Sequence, residues 1–178
     1  MNHQDHVWLL RKGVPETGGV WADLGCGEGA FTLALAELIG PTGTIYAIDK
    51  NASALRQLER AMRSMFPSIT LYCLARDFTE ARSLDLPVLD GLVMANSLHY
   101  VRKKDALLQR IRGEYLRPGG RLLLVEYNAD VGNPWVPYPL SYETWSVLAG
   151  RNGFTQTQLL EKRPSRFLRE MYSAASLA

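Results

Sequence analysis

Three carboxylates stand at the ends of short apolar runs, at Asp23, Asp49 and Asp77, and glycines follow the first at 25, 27 and 29. Glycine leaves no Cβ where a chain turns sharply, and it lets a ligand approach the backbone. A carboxylate ahead of such a loop suits a cationic amine and repels a pyrophosphate. Asp49 comes 20 residues after Gly29, where a charged acceptor can take both hydroxyls of a ribose at roughly 1.5–3 kcal/mol per hydrogen bond. Asp77 precedes Phe78, a pairing suited to an adenine amino group and ring face. Taken singly, each Asp also suits a cap on the helix or turn that follows, and both readings stand.

These residues need strands behind them. Val20–Leu24, Thr44–Ile48, Ile69–Leu74, Leu89–Ala95 and Arg121–Glu126 are apolar almost throughout, as expected of strands covered on both faces. Between them lie helix patterns. Residues 31–39 are dense in Leu and Ala; residues 51–66 open on a capping Asn51 and repeat Leu55, Leu58, Met62 and Met65. Residues 105–116 stop at Pro118-Gly119-Gly120, and residues 141–151 open on Ser141 and end before Gly153. The alternation predicts an α/β fold, a doubly wound and mostly parallel sheet. Residues 154–161 and 169–175 are joined by a link too short for a crossover, so they form a C-terminal antiparallel hairpin.

The glycine spacing is Gly-x-Gly-x-Gly, whereas a dinucleotide fingerprint reads Gly-x-Gly-x-x-Gly; Ala30 stands at its last position. The chain has 178 residues and a formal charge of +2, enough for one domain and too little charge to argue for nucleic acid. No run of eighteen apolar residues occurs, so no membrane partner is expected. Cys26 and Cys73, the two cysteines, match no disulfide framework or zinc site, so no metal is expected and a cytoplasmic setting fits. Residues 1–17 are read as an N-terminal segment, a mobile tail or candidate lid bearing His3 and His6, ahead of a domain over 18–178.

Asp23-Leu-Gly-Cys-Gly-Glu-Gly29 resembles the nucleotide loop of class I methyltransferases that use S-adenosylmethionine (SAM). The same family is suggested by Asp49, by Arg76-Asp77-Phe78, by Asp90-Gly-Leu-Val-Met-Ala-Asn96, by Asn96-Ser-Leu-His99 and by Leu116-Arg-Pro-Gly-Gly120. The resemblance covers residues 18–176, and the terminal hairpin is similar to the family's inserted seventh strand. It implies a seven-stranded, Rossmann-like sheet and SAM as cofactor. It also implies a cofactor site of Asp23, Gly25, Cys26, Gly27, Gly29, Asp49, Lys50, Asp77, Phe78 and Asn96.

Methyl transfer from a sulfonium depends largely on holding acceptor and methyl together, for which effective molarities reach about 10⁵–10⁸ M. A base is needed only if the acceptor must lose a proton. His99, the only histidine outside the N-terminal segment, and Glu126, at the end of the fifth run, are the catalytic candidates. His99 reads equally as a structural histidine opening the next helix. Residues 128–140 carry Pro134, Pro137 and Pro139 with Trp135 and Tyr138, suited to an acceptor pocket or to a loop packed across the sheet edge. No Asp/Asn-Pro-Pro-Tyr stretch follows the fourth run, so a small organic acceptor is expected. Three rivals stand beside this reading. A nicotinamide oxidoreductase is disfavoured by Asp23 and the hairpin. The others are a non-catalytic SAM-binding domain and a methyltransferase acting on RNA or protein.

Overall fold

A computed structural model describes residues 1–80, 84–165 and 167–178 of the chain. The strands are β1 (Val20–Leu24), β2 (Thr44–Asp49), β3 (Thr70–Ala75), β4 (Leu89–Ala95), β5 (Leu116–Tyr127), β6 (Thr155–Pro164) and β7 (Glu170–Leu177). The helices are α1 (His3–Leu10), α2 (Ala30–Ile39), α3 (Ala52–Met65), α4 (Asp105–Arg110) and α5 (Tyr142–Arg151). The strands form one sheet in the order β3-β2-β1-β4-β5-β7-β6. The first five are parallel, and β7 runs antiparallel to both β5 and β6. The doubly wound sheet and terminal hairpin match the expectation.

Alternation along each strand divides the core into two layers. Trp21, Ile45, Val93 and Leu123 point to one face, where α1, α2 and α3 supply Leu10, Leu35 and Leu58. Ala22, Leu24, Leu92 and Leu124 point to the other, with Leu108 of α4 and Trp145 of α5. Both faces of the central strands β1 and β4 are covered, so their runs are apolar almost throughout, whereas the edge strand β3, expected to be covered as well, is exposed or half-buried along its length. Chain order reverses between β1 and β4. That switch point opens a crevice at the carboxyl ends of the strands, where ligands bind in such sheets.

The caps fall where expected. Asn51 Oδ1 accepts from the Ser53 and Ala54 amides at 3.0 and 3.2 Å, and Ser141 Oγ accepts from Thr144 N–H at 3.2 Å. Three details differ. Met65 is 52% exposed, since it lies in the last turn of α3, past the sheet. The helix expected over 105–116 stops at Arg110, and Ile111–Tyr115 widen into a π turn. Pro118-Gly119-Gly120 is a bulge inside β5, where pairing with β4 jumps from Leu89↔Leu116 to Gly91↔Arg121.

Residues 3–10 form a docked helix instead of a tail. Asn2 and Asp5 make a reciprocal capping box at 2.9 and 3.0 Å, a signature legible in the spacing Asn-x-x-Asp. Leu9 and Leu10, in the last turn of α1, are fully buried. His3 meets Glu37 of α2 at 2.7 Å, Lys12 meets Glu161 of β6 at 2.9 Å, and Asp5 pairs with Arg163.

Candidate active site

The glycine loop folds back over the end of β2. The amides of Gly25 and Cys26 donate to Ile48 O at 2.8 and 3.1 Å. Gly27 N–H donates to Asp49 Oδ2 at 2.9 Å, while Asn51 N–H donates to Asp49 Oδ1 at 2.8 Å. Each Asp49 oxygen therefore keeps a lone pair for a further donor. Turn-making and ligand-binding are compatible at this residue. Gly25 and Gly29 have φ of +79° and +91°. A Cβ on Gly25 would lie 2.6 Å from Ser97 Cβ and 3.0 Å from Phe78 Cε1, inside the crevice; one on Gly29 would strike Leu58.

The crevice is a cleft of about 380 Å³ lined by Gly25, Asp49, Lys50, Asp77, Phe78 and Asn96, six of the residues expected from sequence. Thr79, Ser97 and Tyr100 complete it and had not been expected. Thr79 donates its hydroxyl and amide to Asp77 Oδ1 at 2.6 and 2.9 Å, which holds the carboxyl below the usual range. Ser97 Oγ donates to Leu24 O at 2.7 Å and so ties the ends of β4 and β1. Asn96 adopts φ of +53°, and its Oδ1 is buried with no partner among the described residues.

Four expected residues lie outside the lining. Asp23 is 1% exposed beneath the loop and accepts from Thr32 Oγ1 at 2.7 Å. Burial pushes its carboxyl up to about 7; the Thr32 hydroxyl opposes this and Asp49 adds to it. Gly27 and Gly29 shape the turn. Cys26 is buried, and burial, followed by the charges of Asp23 and Asp49, pushes its thiol well up, the condition of an inert cysteine.

Beyond the cleft, His99 and Glu126 form a buried pair. The imidazole lies in a turn over Leu98–Tyr100 just after β4, and Glu126 lies near the end of β5. His99 Nδ1 sits 2.8 Å from Glu126 Oε2, and the His99 amide donates to Oε1 at 3.0 Å. His99 Nε2 is itself buried and has no partner among the described residues. The turn is held from below. Tyr138 N–H donates to His99 O at 3.0 Å, and Lys104 Nζ donates to Val101 O and Tyr138 O at 2.8 and 3.0 Å. Burial lowers the Lys104 ammonium's pKa, opposed by Glu126.

Residues 22–122 match the family model of the methyltransferase domain. The ubiquinone/menaquinone biosynthesis C-methyltransferase UbiE of Burkholderia mallei is 30% identical over 132 residues, 72% of this chain and 50% of that protein. The chain thus spans about half the length of the curated relatives it matches. Among solved structures, the CurJ carbon methyltransferase superposes with a TM-score of 0.73 at 20% identity, over 92% of this chain and 49% of that one. Phosphoethanolamine N-methyltransferase 2 of Haemonchus contortus, solved with S-adenosylhomocysteine, gives 0.74 at 17%, over 98% of this chain and 52% of that one. At those identities the likeness is one of fold. The family match runs through the glycine loop, Asp49, the cleft and β4, and the chain belongs to the SAM-dependent methyltransferase family.

Proposed function

We propose that this chain transfers the methyl group of SAM to a small-molecule acceptor, with His99 as the general base and Glu126 as its orienting carboxylate. The observation that carries the proposal is the buried His99–Glu126 pair beside the cleft, with Nδ1 engaged and Nε2 unmatched.

The cleft fits the cofactor. The bare Cα of Gly25 keeps open a channel that a Cβ would fill against Ser97 and Phe78. Asn96 Oδ1 is an orphaned acceptor. In this assignment Asp49 holds the ribose, Asp77 and Phe78 the adenine, and Gly25 and Asn96 the amino-acid arm. Lys50 flanks the ribose. Asp23, Cys26, Gly27 and Gly29 act through the loop, with Asp23 held to Thr32 beneath it. When bound, SAM supplies a methyl group on a cationic sulfur, which departs with the carbon–sulfur electron pair as a neutral thioether.

The protein's own part is proton transfer and orientation. An Nδ1–H donated to Glu126 leaves the imidazole lone pair on Nε2. As the acceptor's X–H electron pair closes on the methyl carbon, Nε2 takes the proton. The imidazolium so formed is stabilised by the carboxylate beneath it, the arrangement a carboxylate–histidine pair provides in other proton-transfer sites. UbiE and CurJ are named as carbon methyltransferases, which supports a C–H acceptor here, the case in which a base is most needed. A small acceptor and a cytoplasmic setting belong to the same proposal; among the described residues no helix is long and apolar enough to cross a membrane.

Calorimetry with SAM, S-adenosylhomocysteine and NAD is the test. Micromolar binding of the first two and none of NAD is expected. Silence toward both adenosyl ligands would overturn the proposal.

A further inference from the structure

Among the described residues, three Asp, Glu, Lys or Arg side chains are buried: Asp23, Lys104 and Glu126. Asp23 is accounted for beneath the glycine loop, where Thr32 donates to it. The other two are both spent on the turn that carries His99. Glu126 accepts from the His99 amide and meets the His99 ring. Lys104 Nζ donates to Val101 O, at the end of the turn, and to the carbonyl of Tyr138, whose amide donates to His99 O. The same ammonium stands 5.9 Å from the Tyr138 ring centroid. Lys104 and Glu126 form no ion pair with each other. Nor does α4 explain a lysine at this point. Lys104 is the N-cap of that helix and makes no side-chain cap bond, and a cation opposes the positive end of a helix.

We infer that Lys104 is a positioning residue for the reaction: its ammonium braces the His99 turn and, as counter-charge to Glu126, keeps the resting imidazole neutral with Nε2 free to take a proton. This rests on the general-base reading above and adds what holds that base ready. The reason is charge balance. With Lys104 cationic and Glu126 anionic, a neutral ring leaves the buried group with no net charge. Protonating the ring would add an uncompensated charge out of water, which is costly. Without the ammonium the preference reverses, because a protonated ring would then offset Glu126. Nε2 agrees with this: it is buried and unpartnered, and there an unmet lone pair on a neutral ring costs less than an unmet charged N–H. The remaining titratable groups about the pair are the phenols of Tyr100, Tyr127, Tyr138 and Tyr172. Burial, and then the Glu126 charge, push the Tyr127 and Tyr172 phenols up, so both stay neutral. Asp130 and Glu143, which face Tyr172, are exposed and screened by water.

The test reads the His99 ring by nitrogen-15 NMR of the full chain at pH 7.5, its signals assigned by their loss in His99→Asn. Wild type, Lys104→Gln and Lys104→Arg are compared, after circular dichroism shows that the variants are folded. Glutamine can still donate to a carbonyl but carries no charge, whereas arginine restores the charge. The wild type should show a neutral ring with its proton on Nδ1. Lys104→Gln should raise the imidazolium fraction at least fivefold, and Lys104→Arg should bring it back to within twofold of wild type. Lys104→Met gives the same readout should the glutamine variant fail to fold. An imidazolium in the wild type, or an equally neutral ring in wild type and the uncharged variants, would overturn the inference and leave Lys104 a brace only. So would Lys104→Arg matching Lys104→Gln, since charge would then not be the cause. Failure of the methyl-transfer reading shows separately, as absent S-adenosylhomocysteine binding by the wild type in calorimetry, and leaves the ring spectra readable.

Discussion

His99 Nδ1 lies 2.8 Å from Glu126 Oε2, and the two side chains are 2% and 0% exposed. They are 27 residues apart in the chain and meet because β4 and β5 are parallel neighbours, with Ala95 paired to Val125. The backbone amide of His99 shares the same carboxylate, so Glu126 orients the turn as well as the ring.

Glu126→Gln should keep the geometry and remove the charge that stabilises the imidazolium. Turnover should fall about 10²–10⁴-fold, the usual contribution of general acid–base catalysis, with cofactor affinity unchanged. His99→Asn should fall as far. Glu126→Ala should in addition cost about 3 kcal/mol of stability, because it strands buried donors on the His99 turn. Steady-state kinetics and urea unfolding check both; full turnover in His99→Asn would make the pair structural.

Asp49 accepts one backbone donor on each oxygen and lines the cleft. Asp49→Ala should weaken SAM tenfold or more, about 1.4 kcal/mol. Unchanged affinity in calorimetry would remove the ribose assignment.

Two glycines of the loop should respond unequally. Gly25→Ala sets a methyl 2.6 Å from Ser97 Cβ at φ +79°, whereas a Cβ on Gly27 meets nothing within 4 Å at φ +53°. Gly25→Ala is therefore expected to abolish SAM binding. Gly27→Ala should cost only backbone strain, about 1–3 kcal/mol, and retain binding. Thermal melts paired with calorimetry separate strain from occlusion.

Asp23 makes stability depend on pH in a stated direction. Its folded pKa of about 7 lies above the unfolded value of 3.8, so between those values the unfolded chain loses the proton that the native state keeps. Stability should fall as pH rises across that window, by about 1.4 kcal/mol per pH unit from this group, and level off above it. Asp23→Asn can still accept from Thr32 and should flatten the profile. Urea titrations at pH 5, 6, 7 and 8 would show it; identical slopes in both proteins would mean that Asp23 is ionised throughout.

Much of the fold was legible because its signals are local. Strands buried on both faces read as unbroken apolar runs, and Asn51 and Ser141 marked helix starts by capping chemistry. The short link before Arg169 forced a hairpin. One local signal went unread, the Asn2–Asp5 box that starts α1, while the Asp77–Thr79 turn is the capping role that stood open for Asp77. The bulge at Pro118-Gly119-Gly120 was less accessible, since those residues mark a break without saying whether a strand resumes around it.

The sequence by itself determined the layered sheet, the glycine loop and the acids at the strand ends, because each depends on residue types within a few positions. Tertiary structure alone decided what those residues do together. It sent Asp23 beneath the loop to Thr32 while Asp49 faced the cleft. It also joined His99 to Glu126 and set the rings of Tyr127, Phe167 and Trp135 edge to edge. The physical reason is strand register. Pairing between β4, β5 and β7 brings together residues far apart in the chain, and no local preference of either partner encodes which one it will meet.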